Sequence, residues 1–95
     1  LLLTPTMATT PVPLGVLVHS ENDPLAGMAK AHPSIAFTSP FNASGQPAMS
    51  VPLESTQDGL PIGLHFVARY GAEEKLFSLA TQLEEARPWR GRLPC

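Results

Sequence analysis

The sequence predicts an α/β fold on three observations: a short aliphatic run ahead of a proline-rich loop, two β-like runs joined by a turn, and one amphipathic helix. Their order is strand, coil, weak helix, two strands and a final helix, which is typical of an α/β or mixed-sheet unit. We divide the 95 residues into two parts. Residues 1–36 form a strand and a proline-rich loop region, and residues 37–95 form a loop, a β-hairpin and a terminal helix.

The first part begins with an apolar run over residues 1–4, which predicts a buried strand that stops at Pro5. Proline-punctuated coil follows to about residue 15, and "ENDP" at residues 21–24 indicates a turn. Residues 25–31 have helix-forming character over only two turns. We interpret them as a weak helix or a loop.

The second part opens on "FTSPFNASGQPAMSVPLE", which has no charged side chain until its last residue, Glu54, and whose first ten residues we interpret as a loop. Beyond Gln46, "PAMSVPL" and "IGLHFVAR" are two β-like runs joined by a segment that contains Asp58-Gly59, which predicts an antiparallel hairpin. Pro52 cannot donate to a ladder, so its strand should lie at an edge or present Pro52 outward. Residues 62–67 are apolar or small on both faces, which predicts a strand covered on both sides.

The last element is a helix that begins near Gly71 and ends at Pro88. Glu73 and Glu74 in its first turn and Arg87 at its end suit the helix dipole. Its apolar positions recur at spacings of three and four and form one stripe that faces a core. The stripe comprises Leu76, Leu79, Ala80, Leu83 and Ala86.

Charge is scarce and unevenly distributed. Charged residues make up 15% of the chain, against about 25% in typical globular domains. Residues 1–53 contain only Glu21, Asp23 and Lys30. Two uncharged runs, residues 1–18 and 31–53, would need a cover to stay out of water. We therefore expect this chain, which opens on Leu1, to be a piece of a larger body.

Charge and composition also exclude several partners. The net charge of −2 gives no electrostatic reason to expect nucleic acid or an anionic membrane. No apolar run approaches the roughly 20 residues needed to cross a bilayer. One cysteine, Cys95, cannot form an internal disulfide, which favours a reducing compartment. We expect a cytoplasmic location.

A search for catalytic residues finds no self-sufficient set. None of the seven serines has the flanking glycines of a nucleophile elbow, and the three histidines have no companion ligands at metal-site spacings. His65 lies between Leu64 and Phe66 in a strand, so we interpret it as structural. We assign no catalytic, cofactor or metal residue, and we expect no cofactor.

The spaced motifs resemble a known family. "FTSPFNASGQPAMSVPLESTQDGLPIGLHFVARYGAEEKLFSLATQLEEARPW" resembles the C-terminal end of amidase signature enzymes, and "LLLTPTMATTPVPLG" resembles the strand and loop that precede it. Together they cover nearly the whole chain. The resemblance implies part of a large mixed β-sheet flanked by helices, in enzymes that hydrolyse amides or move ammonia onto carboxyl groups.

The resemblance also implies where the chemistry lies. Family members use a serine nucleophile, a second serine in a cis peptide, a lysine base, and backbone N–H groups that stabilise the oxyanion. Those residues belong to a lysine-bearing segment and a glycine- and serine-rich signature that this sequence lacks, and Lys30 and Lys75 match neither. The resemblance therefore implies the C-terminal segment of an amidase, inactive by itself.

The resemblance implies four residues that line the substrate pocket of the complete enzyme: Ile35, Phe37, Asn42 and Gln46. The segment before Asn42 would border the acyl side of that pocket. Loop organisation is the alternative role for the two amides, and a place in the core is the alternative for the two apolar residues. The implied partners are the rest of the amidase fold and a small amide. Two other functions stay open: a truncated, non-enzymatic remnant, and a subunit that completes a separately encoded amidase or amidotransferase half.

Overall fold

A computed structural model describes residues 1–18 and 21–92. Its three strands are β1 (Leu2–Pro5), β2 (Ala48–Ser55) and β3 (Pro61–Val67), and they form an antiparallel sheet in the order β1-β3-β2. The helices are α1 (Ala26–Ala31), α2 (Ser39–Ser44) and α3 (Glu73–Ala86), and a 3₁₀ turn spans His32–Ile35. The α/β fold class is confirmed. Cys95, on which the expected compartment depends, lies outside the described residues.

The hairpin formed by β2 and β3 follows the prediction. Thr56 N donates to Leu60 O at 2.8 Å across the turn, and Gly59 adopts a φ of +85° that favours glycine. The register shifts between Val51 and Glu54, as at a β-bulge, and the exposed Pro52 lies within that shift. Since β2 is an edge strand, the prediction for Pro52 is confirmed.

The core lies between one face of this hairpin and α3. Because side chains alternate along a strand, Val51 and Phe66 point to the same side of the sheet, where they meet Leu76 of the helix. The predicted apolar stripe packs here in large part, with Leu76 buried and Leu79 and Leu83 half-buried, whereas Ala86 is exposed. His65, Phe66 and Val67 are all buried, so the C-terminal half of β3 is covered on both faces as predicted.

The first strand is placed differently from the prediction. Residues 2–5 form a strand, but Leu1, Leu2 and Leu3 are 69%, 49% and 57% exposed, so the predicted burial is wrong for this chain. The physical reason is position, because β1 lies at an edge of the sheet and only β3 pairs with it among the described strands. The sequence shows that these side chains are apolar, but it does not show which part of a structure would bury them.

The uncharged segment that we interpreted as a loop contains α2. Pro40 occupies the first turn of this helix, where its missing N–H costs no hydrogen bond, and Gly45 ends the helix with a φ of +76°. Gly45 N donates to Phe41 O at 3.1 Å. The proline and glycine that suggested coil are thus the start and stop signals of a short helix.

Candidate functional site

The sheet face opposite α3 carries the small and polar residues of all three strands. Thr4 on β1, Ser50 on β2 and His65 on β3 lie side by side in register, and Gly63 follows two residues away on β3. On β2 and β3 the alternate residues, among them Val51 and Phe66, point to the core on the other side of the sheet. We call this face the hydroxyl face, defined by Thr4, Thr6, Ser50, Gly63 and His65.

His65 is the buried polar residue of the hydroxyl face. Its side chain is 4% exposed, and its Nδ1 shares a hydrogen bond of 3.0 Å with Thr4 Oγ1. The ring of Phe41 on α2 lies over it at 5.6 Å between centroids and 55° between planes. A polar ring that is buried and bonded in this way holds elements together. His65 therefore ties β1 and α2 to β3, as expected for a structural residue.

The hydroxyl groups of Thr6 and Ser50 meet directly above the Cα of Gly63. Their hydroxyl oxygens are 2.6 Å apart and share a hydrogen bond, and Thr6 N donates to Gly63 O at 3.1 Å. A Cβ atom on Gly63 would lie 2.7 Å from each of the two hydroxyl oxygens, which is closer than atoms can pack. Glycine therefore lets the proline-rich arm, residues 6–18, cross the sheet here without displacing either hydroxyl group.

A cavity of about 470 Å³ opens between the proline-rich arm and the hairpin. This volume falls within the range of roughly 300–1,000 Å³ that is typical of small-molecule sites. The hydroxyls of Thr6 and Ser50 and the rings of Pro52 and Pro61 lie in its wall. The cavity is mainly apolar, and the residues that line it include the hydrogen-bonded pair Thr6 and Ser50 together with Thr9 and Thr10 of the arm.

The hydroxyl face can bind and position groups, but its contacts do not make a proton-transfer relay. Within residues 1–18 and 21–92, the hydrogen bonds of this face join Thr6 to Ser50 and Thr4 to His65, and none links a serine to a histidine or a lysine. Nucleophilic catalysis by serine needs a base within hydrogen-bond reach. No three His, Cys, Asp or Glu side chains of the described chain gather as metal ligands would.

The four predicted substrate-lining residues lie apart from the cavity. Ile35 is 49% exposed at the end of the 3₁₀ turn, Phe37 is half-buried, and Asn42 is exposed on α2. Gln46 follows α2, and its Nε2 donates to Ala68 O at 3.2 Å while its Oε1 accepts from Ser44 Oγ at 3.1 Å. Gln46 thus fastens the end of α2 to the end of β3. A contact of any of the four with substrate stays a prediction.

Sequence reasoning did not select Thr6, Ser50 or Gly63. A signal was present, since Ser50 interrupts the large side chains of "PAMSVPL" and Gly63 occupies an alternating position in the facing strand. Nothing in the sequence indicated that Thr6 joins Ser50 and Gly63, because Thr6 lies in a loop 44 residues before Ser50.

The profile of the amidase family matches residues 1–77. The chain belongs to the amidase family. It is 43% identical, over 99% of its length, to a 6-aminohexanoate-cyclic-dimer hydrolase of Paenarthrobacter ureafaciens, of which it covers 20%. It is 42% identical, over 93% of its length, to a putative amidase AmiC of Mycobacterium leprae, of which it covers 18%.

A solved structure agrees with these relatives. A 6-aminohexanoate cyclic dimer hydrolase in complex with substrate superposes on this chain with a TM-score of 0.81 and 40% identity, over 92% of this chain and 19% of that one. This amidase-family chain spans about a fifth of the length of the relatives it matches and corresponds to their C-terminal part, as the sequence motifs predicted. No helix in the described ranges combines the length and the hydropathy needed to cross a bilayer.

Proposed function

We propose that this chain supplies the C-terminal part of an amidase that hydrolyses a carboxamide through a serine acyl-enzyme. The observation that carries the proposal is the 43% identity across 99% of the chain with a fifth of a cyclic-amide hydrolase. The remaining four fifths of such a relative has no counterpart in these 95 residues. The serine pair, the lysine base and the oxyanion donors belong to that larger part.

The contribution of this chain is then to close and brace the active-site region. Helix α3 and the hairpin form a packed support, and the hydroxyl face with α2 forms a wall against which the larger part can lie. We assign Ile35, Phe37 and Asn42 to the border of the acyl pocket. Because both ends of the Gln46 amide are already bonded within this chain, we assign Gln46 to positioning that border.

We further propose that the complete enzyme needs no metal or organic cofactor and works in the cytoplasm. The first substrate to test is the cyclic dimer of 6-aminohexanoate, because two of the similar proteins are named for its hydrolysis. Other small amides form the second set, since the choice of amide depends on pocket walls that the larger part supplies.

The test is a chimera of the Paenarthrobacter hydrolase in which the matching segment is replaced by this chain. We expect the chimera to hydrolyse the cyclic dimer with a kcat/KM within about 10-fold of the parent, a difference of about 1.4 kcal/mol in transition-state binding. A matched control carries Gly63→Val in the same chimera, where the added side chain would force the proline-rich arm from the sheet.

Two results would contradict the proposal. One is a folded chimera without any amidase activity on the cyclic dimer or on a panel of small amides. The other is turnover by the purified 95-residue chain that persists through further purification, because it would place the reactive residues in this chain.

The exposed apolar strand β1 favours a second candidate function, that of a separate subunit completing an amidase or amidotransferase half encoded elsewhere. Leu1 and the first two residues of β1, Leu2 and Leu3, are exposed to solvent, a surface that suits association. The two candidates differ when the pieces are mixed as separate chains. Activity that appears on mixing supports the subunit, whereas activity confined to the covalent chimera supports the segment. A chain that restores activity in neither form would be the non-enzymatic remnant.

A further inference from the structure

Another cavity, of about 480 Å³, opens where the segment after α3 lies beside the turn end of the hairpin. Volumes of this size are typical of small-molecule sites. Its wall combines residues of β2, of the hairpin turn, of β3 and of residues 87–92, which we call the tail. Pro52 and Pro61 also border the cavity beside the proline-rich arm, but no described residue of the arm lines this one. We call it the tail cavity.

Part of the wall of the tail cavity is apolar and aromatic. Trp89 is half-buried, since it packs against the core cluster and also lines the cavity. Pro52 and Pro61 line the same cavity. An indole ring offers a single N–H donor, and proline side chains offer no polar group. This part of the wall therefore suits the apolar body of a ligand.

The charged residues that line the tail cavity are Glu54 and Arg92. Glu54 forms an ion pair with Arg87, so its negative charge is already balanced. The guanidinium of Arg92 makes one hydrogen bond within the described chain, in which Nη2 donates to Pro88 O at 3.4 Å. Because a guanidinium carries five N–H donors, most of those of Arg92 remain available. The cavity therefore presents one positive charge that no carboxylate in its wall neutralises.

The backbone of the tail holds Arg92 close to Trp89. Arg92 N donates to Trp89 O at 2.9 Å, which closes a turn. The ion pair of Arg87 with Glu54 fastens the start of the tail to β2. A planar guanidinium and an aromatic ring thus lie in the wall of one cavity, on a segment that is attached to the sheet. A guanidinium matches a carboxylate through two parallel hydrogen bonds.

We propose that the tail cavity binds a small monocarboxylate with an apolar body. The carboxylate accepts hydrogen bonds from the guanidinium of Arg92, and the apolar body lies against Trp89, Pro52 and Pro61. Inorganic phosphate would suit the guanidinium but would leave the apolar part of the wall without a partner. The inference goes beyond the proposed function, since none of the residues that we assign to the border of the acyl pocket lines this cavity.

The experiment titrates hexanoate into the 95-residue chain. Trp89 is the only tryptophan of the sequence, so its indole N–H gives a single, assigned resonance in the NMR spectrum. We expect this resonance to shift and to saturate with a Kd on the order of 1 mM, as befits a ligand of few atoms. The same titration is made by calorimetry with the Paenarthrobacter chimera, in which the larger part completes the fold.

Three further ligands separate the charge from the apolar body. Hexanamide has the shape of hexanoate without its charge, and it should bind at least about 10-fold more weakly because the charge-assisted hydrogen bonds are lost. Acetate keeps the charge without the long body, and it should also bind at least about 10-fold more weakly because less apolar surface is buried. Inorganic phosphate should likewise bind at least about 10-fold more weakly than hexanoate.

A pair of arginine variants tests the role of Arg92. Arg92→Gln removes the guanidinium from the cavity wall and should weaken hexanoate binding by about 10-fold or more. It should leave hexanamide binding within about 2-fold, since a neutral amide gains little from the charge. Arg90→Gln is the matched control, because it removes the same charge from the same tail at an exposed residue that does not line the cavity. It should bind hexanoate within about 2-fold of the parent chain.

Several outcomes would overturn the proposed site. Hexanoate that binds no more tightly than hexanamide, or equal losses in the two arginine variants, would overturn the carboxylate contact with Arg92. Phosphate that binds as tightly as hexanoate would overturn the apolar part of the ligand.

The outcomes also distinguish this site from the proposed function. If the chain alone gives no dispersed spectrum, calorimetry on the chimera decides, and no hexanoate binding there overturns the tail cavity. Hydrolysis by a chimera that does not bind hexanoate overturns the site and leaves the function standing. Hexanoate binding that is sensitive to Arg92→Gln, in a chimera without amidase activity, supports the site and overturns the function.

Discussion

The region from β2 to Trp89 and the region before β2 use apolar residues in opposite ways. Among residues 1–18 and 21–92, the buried hydrophobic residues all lie between Val51 and Leu76. Residues 1–46 contain most of the exposed large hydrophobic residues of the described chain, from Leu1 ahead of β1 to Ile35 before α2. The hairpin and α3 find partners within the chain, whereas the earlier region offers apolar surface that the chain does not cover. Hydrophobic residues therefore do not by themselves locate a core. They form one only where a second apolar surface within the structure packs against them.

The largest expected effect is loss of the core contact at Leu76. Leu76→Ala should destabilise the chain by about 2–5 kcal/mol, since it leaves a cavity where the helix meets the hairpin. Because the core is small, we expect cooperative urea unfolding, followed by far-UV circular dichroism, to disappear.

The neighbouring Phe77 is the matched control for Leu76, because it is 74% exposed on the same helix. Phe77→Ala should change the free energy of unfolding by less than about 0.5 kcal/mol. Equal effects of the two variants would show that the core is not where we place it.

The contact between the two regions, where Thr6 of the proline-rich arm meets Ser50 and Gly63 of the hairpin, is tested at Gly63. Gly63→Ala should cost about 1–3 kcal/mol in urea unfolding, because its Cβ would lie 2.7 Å from the hydroxyl oxygens of Thr6 and Ser50. Alanine at Thr6 and Ser50 removes both oxygens, so the triple variant should recover part of the loss. If the triple variant recovers none of the free energy of unfolding, the hydroxyl groups of Thr6 and Ser50 do not limit the room for a side chain at Gly63.

A smaller effect separates positioning from substrate contact near α2. Gln46→Ala loses the hydrogen bond to Ala68 O and should reduce stability by about 1 kcal/mol, with KM of the active chimera unchanged. Asn42→Ala, at an exposed site, should leave stability unchanged and raise KM. The reverse pattern would exchange the roles that we assign to the two amides.

The smallest effect concerns the ion pair of Glu54 and Arg87, whose side chains are 48% and 54% exposed. Solvent screens such a pair, so Glu54→Gln should cost no more than about 0.5 kcal/mol. The difference should shrink further in 0.5 M salt, a condition of about 4 Å screening length. A cost that is larger and independent of salt would show that β2 depends on this contact.

The sequence predicted the region that carries its own core better than the region that does not. The hairpin and α3 follow from local signals, namely the alternation in "PAMSVPL", the turn at Asp58-Gly59 and the spacing of leucines before Pro88. Helix α2 was missed although Pro40 and Gly45 mark its two ends, because both residues also punctuate coil. The hydroxyl face was missed because Thr6 and Ser50 meet through tertiary pairing, to which no local pattern points.

The pairing of β1 with β3 also has a consequence for the order of folding. Thr4 and His65 are separated by 61 residues, while β2 and β3 are joined by a turn over residues 56–60. Closing a long loop costs more entropy than closing a short one, and distant contacts form late. We therefore expect the hairpin and α3 to assemble first and β1 to dock last. The outer edge of β1 would then form only at the final step of folding. This order shortens the time during which a non-native strand could pair with that edge.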